Sequence, residues 1–233
     1  MESNVKNMFG DIAERYDAAN DVLSLGHHRS WRRRAVRLAD LKAGTRALDI
    51  ACGTGDFAIE LHKAVGPTGS VVASDFSPEM LRIAKSKFAG RNLPIGAVEQ
   101  DAMDLDLNAL GGERFDAVVC GFGVRNFPNA ARGIEQMAKM LKPGGKVVVL
   151  EFGAPGGVVS KAFYKYYAPW ALPLIGGLIT GNAAAYKYLP DTSSSFPSGQ
   201  EFLEIMRSAA EFSALSATTL SFGLAYCYIG RIR

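Results

Sequence analysis

The chain has 233 residues, 48% hydrophobic and 21% charged, with a formal net charge of +3. That composition excludes global disorder and fibrous classes, and the length fits one α/β domain. The charge is too mild to imply nucleic acid by itself, although Arg29, Arg32, Arg33, Arg34 and Arg37 form a local cluster. Cys52, Cys120 and Cys227 are odd in number and far apart, so neither a disulfide framework nor a metal-ligand spacing is expected. A reducing, cytoplasmic setting follows from that usage. The first ten residues lack the apolar core of a signal, and no apolar run reaches the ~18 residues needed to span a bilayer.

In chain order, residues 6–17 have the spacing of a short amphipathic helix. Asn20 to Gly26 reads as a loop, and 28–40 as a strongly basic helix. Strands and helices then alternate. Strands are expected over 45–51, 70–75, 95–99, 115–120 and 146–152, with helices over 56–65, 78–88 and 129–141. Ser77-Pro78 is a helix start with Ser77 as N-cap and Pro78 at the first helical position. Residues 153–198 are aromatic, Pro- and Gly-rich and weakly periodic, which suits a lid insertion. A helix over 200–210 and two strands within 213–233, turning near Gly223, complete the chain. The pattern predicts a single domain over 1–233 of Rossmann-like, doubly wound α/β class. It is mostly parallel with a C-terminal antiparallel strand, and residues 1–40 form a helical cover. Ligands of such sheets sit beyond the strand C-termini.

The segment Ala47 to Ala58, with Gly53-x-Gly55-x-x-Ala58, runs from strand through glycines into helix. It fits a dinucleotide fingerprint formally, and Asp75 stands about 20 residues on, where a ribose-binding acid belongs. Electrostatics choose between cofactors. A dinucleotide brings an anionic pyrophosphate to the turn, where Asp49 and Asp56 would oppose it. S-adenosylmethionine carries no phosphate; its ammonium and sulfonium suit nearby acids. Asp75 at the end of the second strand could then accept both ribose hydroxyls, with Phe76 beside it. Asp101-Ala102 would meet the adenine edge, and Gly121-Phe122-Gly123 opens room beside the sulfonium.

Together these residues resemble the class I S-adenosylmethionine-dependent methyltransferases. Tyr16-Asp17-x-x-Asn20-Asp21-x-x-Ser24-x-Gly26-x-His28-Arg29-x-Trp31 and Gly123-Val124-Arg125-Asn126-Phe127 are similar to motifs of the menaquinone/ubiquinone C-methyltransferase family. The segments Met140 to Gly145, Leu150-Glu151-Phe152, Tyr188-Leu189-Pro190 and Phe196-Pro197 extend the similarity over about residues 7–230. Gly153 departs from a frequent Ser, Ala210-Glu211-Phe212 from Ala-Gly-Phe with an apparent extra residue, and Ala19 from Met; the last would enlarge the substrate pocket.

The resemblance implies methylation of a ring carbon of a polyprenylated quinol, demethylmenaquinol or a methoxy-benzoquinol of ubiquinone biosynthesis. It implies that Asp49, Gly53, Thr54, Gly55, Asp75, Phe76, Asp101, Ala102 and Gly121 bind S-adenosylmethionine, with no metal. The chemistry needs a phenolate, so Arg125 is read either as its electrostatic partner or as an ion pair clamping the loop. Asn126 would orient the same oxygen or serve a turn, and Tyr16 would hydrogen-bond the quinol. His28 is a candidate base or a structural histidine. Asp17 and Glu151 are open between structural and substrate-facing roles. The expected partner is the prenylated quinol, and nucleic acid is not expected. Peripheral contact with the inner membrane face, through the aromatic segment 163–188 or the arginine cluster, and a homodimer are left open. Methylation of another small acceptor, hydride transfer with NAD(P) and RNA binding compete less well with these motifs.

Overall fold

A computed structural model describes residues 13–24, 26–153 and 196–233. A 3-10 turn at Ala13–Arg15 leads into α1 (Tyr16–Leu23) and α2 (His27–Ala39). Then come β1 (Arg46–Ile50), α3 (Asp56–Val65), β2 (Ser70–Asp75), α4 (Pro78–Gly90), β3 (Ile95–Glu99) and β4 (Phe115–Gly121). The chain continues through α5 (Ala130–Lys139), β5 (Leu141–Phe152), α6 (Gln200–Ala209), β6 (Phe212–Leu220) and β7 (Ala225–Ile232). The strands form one sheet in the order β3-β2-β1-β4-β5-β7-β6. β7 is antiparallel to both its neighbours, and the β1–β5 pairs are parallel. The order runs outward from β1 to β3 and then returns to β4, so the switch point lies between β1 and β4, where a crevice opens beyond the strand ends.

Both faces of the sheet are covered, which is why the strands read as apolar runs rather than alternations. On one face Ala47, Val119, Val148 and Leu150 pack with Trp31 of α2, Phe57 and Leu61 of α3, and Leu81 and Phe88 of α4. On the other, Leu48, Val118, Val147 and Val149 pack with Ile134 and Met137 of α5 and Phe202 and Met206 of α6. Ser77 caps α4 as its sequence predicts, accepting the Met80 amide, and Asn129 caps α5 through the Arg132 amide.

Most elements fall where the pattern puts them, with two differences. Asn20–Leu23, read as loop, are the last turns of α1. Tertiary contacts outweigh local propensity there, because the Asp21 carboxylate is held by His28 and Arg29 and the Ser24 hydroxyl donates to the Asn20 carbonyl. β5 begins at Leu141 rather than Lys146. The Lys142-Pro143-Gly144-Gly145 segment stops the helix as expected but is absorbed as a bulge, since the register against β4 shifts between Phe115 and Ala117. The expected helix over 6–17 is described only from residue 13. The aromatic lid over 153–198, with the 163–188 segment, falls outside the described residues except for Gly153 and residues 196–198.

The departures from the family pattern have local accounts. Ala19 is fully buried and does not line the cavity described below, so it does not enlarge a pocket among the described residues. The extra residue at 210–212 coincides with a register shift between Phe212 and Ala214. At Gly153 a Cβ would lie 2.3 Å from the Tyr226 ring and 3.1 Å from the Gly223 carbonyl oxygen. Gly153→Ser is therefore expected to lower unfolding stability by about 1–3 kcal/mol through overpacking. Tyr226→Ala in the same chain should recover part of that loss, read as a double-mutant coupling in urea denaturation.

Candidate active site

At the end of β1 the chain reverses through Ala51, Gly53 and Gly55, with φ of 53°, 55° and 85°. Left-handed backbone suits glycine and costs an alanine roughly 1–2 kcal/mol. At Gly55 a Cβ would lie 2.5 Å from the Phe88 ring, so that glycine is also what lets α4 pack on the turn. The turn is tied to β2 by the Cys52 amide on the Ser74 carbonyl at 3.0 Å. The Gly53 amide donates to Asp75 Oδ2 at 2.8 Å and the Ser77 amide to Asp75 Oδ1 at 2.9 Å. Two backbone donors thus fix the Asp75 carboxylate at the crevice.

A cavity of about 660 Å³ opens here, at the switch point. Of the residues expected at the site, Tyr16, Gly53, Asp75, Phe76, Asp101, Ala102, Gly121 and Asn126 line it. Gly121 lies against Phe57, where a Cβ would be 2.6 Å from the ring. Asp101 Oδ1 accepts the Met103 amide at 2.8 Å, fixing that turn. Asn126 Oδ1 is buried without a hydrogen-bond partner. The described wall holds the carboxylates Asp75, Glu99 and Asp101 and no Lys, Arg or His. Its apolar part comes from Phe76, Met80, Met103, Phe122, Phe127 and Pro128. Phe122 and Phe127 stood within recognisable motifs. Met80 and Met103 carry no local signal, because their place depends on how α4 and the turn after β3 pack.

Five expected residues lie outside that wall. Thr54 is buried, donating to Asp17 Oδ1 at 2.6 Å and accepting from Lys87 Nζ at 3.0 Å. Gly55 serves packing, as above. Asp49 is 1% exposed with neither oxygen hydrogen-bonded. Burial pushes its carboxyl up to about 8, against the pull of the Arg32 guanidinium. Arg125 is buried in an ion pair, Nη1 to Glu151 Oε1 at 2.7 Å, and also donates to the Phe122 carbonyl at 2.5 Å. Its guanidinium carbon lies 5.1 Å from the Phe152 ring centroid, and its Nε has no partner. The clamp is therefore the arrangement present: the pair closes the loop that carries Asn126 into the wall.

His28 is 4% exposed and both ring nitrogens are engaged. Nδ1 meets Arg32 Nη1 at 2.7 Å and Nε2 meets Asp21 Oδ1 at 2.7 Å. Arginine only donates, so Nδ1 accepts and Nε2 carries the proton given to Asp21. Burial lowers the imidazole's proton affinity, opposed by the Asp21 hydrogen bond, which agrees with a neutral ring. A base needs a free lone pair; His28 has none here and stands outside the cavity wall.

His28 belongs to a charge network spanning four helices. Arg32 continues from His28 to Asp56 Oδ2 at 3.3 Å. Lys87 binds Asp56 Oδ1 at 2.8 Å and pairs with Asp17. Burial would raise the Asp56 carboxyl, but Arg32 and Lys87 outweigh it and hold it below the usual range. The arginine cluster thus splits: Arg32 points inward, whereas Arg29, Arg33, Arg34 and Arg37 are exposed.

The comparisons agree with this architecture. A family model described as the ubiE/COQ5 methyltransferase family matches residues 1–231. A ubiquinone/menaquinone biosynthesis C-methyltransferase UbiE of Bdellovibrio bacteriovorus is 41% identical over 229 residues, 98% of this chain and 96% of that protein. A demethylmenaquinone methyltransferase of Thermus thermophilus is 44% identical over 223 residues, 96% of this chain and 99% of that protein. Among solved structures, a SAM dependent methyltransferase from Aquifex aeolicus matches with a TM-score of 0.61 at 16% identity, covering 87% of this chain and 89% of that one. That last likeness supports the fold alone.

Asp49 generates a pH prediction. Its folded-state value, about 8, stands above the ordinary carboxylate value. Such a group contributes fully below its unfolded value and weakens the fold as pH rises toward the folded one. Asp49→Asn removes that dependence. Relative to wild type, the variant should gain stability progressively between about pH 4 and pH 8 and hold a constant gap above. Chemical denaturation across that range, without added ligand, reads the slope; a gap independent of pH would show that Asp49 ionises normally.

Proposed function

The chain belongs to the ubiE/COQ5 methyltransferase family, and we propose that it methylates a ring carbon of a polyprenylated quinol, demethylmenaquinol before methoxy-benzoquinol, using S-adenosylmethionine. The observation that carries the cofactor half is the charge of the described cavity wall, three carboxylates and no cationic side chain. A pyrophosphate would sit among like charges there. A ligand with an ammonium and a sulfonium is matched by them, and the buried Asp49 beside the turn, with both oxygens unpartnered, fits the same cationic end. The names of the two relatives support the quinol half.

When bound, this cofactor supplies an electrophilic methyl on a sulfonium, to which a quinol ring carbon becomes reactive once the phenolic proton is lost. The residues of the chain hold the partners and shape the field. Asp75, fixed by two amides, accepts from the ribose hydroxyls. Gln100, Asp101 and Ala102 border the adenine end, and Gly53 keeps the wall low where the methyl must pass, whereas Gly121, whose missing Cβ faces Phe57, serves the packing of α3 on β4 rather than ligand space. Tyr16 and Asn126 reach the substrate part of the cavity, with Asn126 assigned to orient the phenolic oxygen. Arg125 acts through the loop: paired with Glu151 it holds Asn126 in place. His28 is assigned to position α1, and with it Tyr16, through Asp21 and Arg32. The phenolic proton leaves to water in this reading, since the described wall offers no imidazole.

Incubation with methyl-labelled S-adenosylmethionine and short-chain reduced acceptors, read by mass spectrometry, tests the reading. Ring methylation of demethylmenaquinol is expected, with the benzoquinol slower. Binding of the cofactor with transfer to neither ring would sink the quinol assignment. Asn126→Ala should lower kcat by about 10- to 100-fold, the usual range for a lost orienting or charge-stabilising donor. Cofactor affinity, measured by calorimetry, should be unchanged.

A further inference from the structure

The acids of the cavity wall match the cofactor's ammonium and sulfonium and leave one charge unmatched. Beside its ammonium, the methionine end of S-adenosylmethionine carries a carboxylate. The described wall offers it Asp75, Glu99 and Asp101 and no Lys, Arg or His, so an anion there meets like charge. Immediately behind the wall the chain holds a carboxylate of its own. Tyr16 and Gly53 line the cavity, and their chain neighbours Asp17 and Thr54 bond each other, Thr54 Oγ1 donating to Asp17 Oδ1 at 2.6 Å. Asp17 Oδ2 pairs with Lys87 Nζ, and Lys87 also donates to Thr54 Oγ1 at 3.0 Å. A hydroxyl on one oxygen and an ammonium on the other is coordination that suits an amino-acid carboxylate equally well. The positive end of a helix lies at the same place, since Gly55, next to Thr54, is the N-cap of α3 and brings no side chain to its first amides.

Two further cations turned inward are committed elsewhere. Arg125 is bound to Glu151 and the Phe122 carbonyl, and Arg32 to His28 and Asp56. Lys87 differs because one of its partners can leave. The Asp17 side chain is 36% exposed, against 18% for Lys87. A ligand carboxylate that arrives as Asp17 departs keeps Lys87 paired, with Asp56 Oδ1 still at its side at 2.8 Å, so the exchange strands no buried charge. α1 stays attached through its other end, where Asp21 is held by His28 and Arg29.

We propose that Asp17 and the α-carboxylate of S-adenosylmethionine compete for one subsite, Thr54 Oγ1 and Lys87 Nζ, and that the cofactor displaces Asp17 when it binds. The ammonium and sulfonium then face the acids of the wall, and the carboxylate alone reaches the cation behind them. The exchange deepens the cofactor reading and needs no acceptor.

Calorimetry on the full chain with two ligands tests it: S-adenosylmethionine, and its decarboxylated form, which keeps the sulfonium and the ammonium. The wild type should bind S-adenosylmethionine about 10- to 100-fold more tightly, the range for a hydrogen bond to a charged group. Lys87→Met should remove most of that difference by weakening S-adenosylmethionine alone. Asp17→Asn keeps the shape and gives up the charge. It should tighten S-adenosylmethionine by about two- to fivefold, the range for a competing ion pair of this exposure, and leave the decarboxylated ligand unchanged. Urea denaturation reports whether each variant folds; should Lys87→Met fail to, wild type and Asp17→Asn decide between the outcomes by themselves. Weaker or unchanged binding of S-adenosylmethionine by Asp17→Asn overturns the proposal, because Asp17 would then only tie α1 to the turn. Equal affinity of the wild type for both ligands overturns it too, as does an equal loss of both in Lys87→Met. Binding of neither ligand by the wild type would bring down the cofactor reading with it. No acceptor is present, so failure of the quinol assignment leaves the result standing.

Discussion

Lys87 is the cation on which the site's assembly turns. It lies at the meeting of three helices, bound to Asp56 at the start of α3, to Asp17 on α1 and to the Thr54 hydroxyl within the glycine turn. Arg32 closes the other side of Asp56 and passes through His28 to Asp21. Exposed ion pairs contribute little each, but these groups are mostly inaccessible and share partners, so removing one strands the rest. The consequence is positional. α1 sets Tyr16 in the cavity wall. Among the described residues, these charges tie α1 to α2, α3 and α4 beside the crevice.

That arrangement also separates the positive charges from the ligand. Lys87, Arg32 and Arg125 are each paired behind the wall with Asp17 and Asp56, with Asp56, and with Glu151. The wall itself keeps its carboxylates. In the proposed reading, a fold that commonly receives phosphates at this turn receives a cation instead, by where its counter-charges point rather than by the glycine pattern, which both ligand classes share.

This explains what was legible in the sequence. Strands and helices of the sheet were readable because both faces are covered, so β1, β4 and β5 are apolar runs closed by turns. Asp75 and Gly121 were readable because strand ends at a switch point face the crevice by topology. Side-chain direction was not readable. Thr54 follows Gly53 directly but points into the Lys87 network, and Arg125 precedes Asn126 but turns back to Glu151. Neighbours in a tight turn point in different directions, and which one faces the ligand depends on partners 26 to 37 residues away. The same limit made the end of α1, Asn20–Leu23, read as a loop, since it depends on His28 and Arg29.

Strain and unmet polarity collect on one edge of the sheet. Ala51, Phe122, Ser221 and Phe222 hold left-handed backbone at the C-terminal ends of β1, β4 and β6, whereas Asp40 and Asn92, residue types that tolerate it, do so after α2 and α4. Asp49, Ser74, Arg125 and Asn126 bury unpartnered polar atoms at the same ends, with Arg46 the exception at the opposite end of β1. Each such feature costs on the order of 1–3 kcal/mol, a cost the rest of the domain must offset. Two apolar layers with most side chains fully buried offset that cost, and Lys87, Arg32 and Arg125 keep the strained turns from relaxing. An edge held open in this way is preorganised: in the proposed reading, a cationic cofactor would satisfy Asp49, and a phenolic hydroxyl donating to Asn126 Oδ1 would satisfy Asn126.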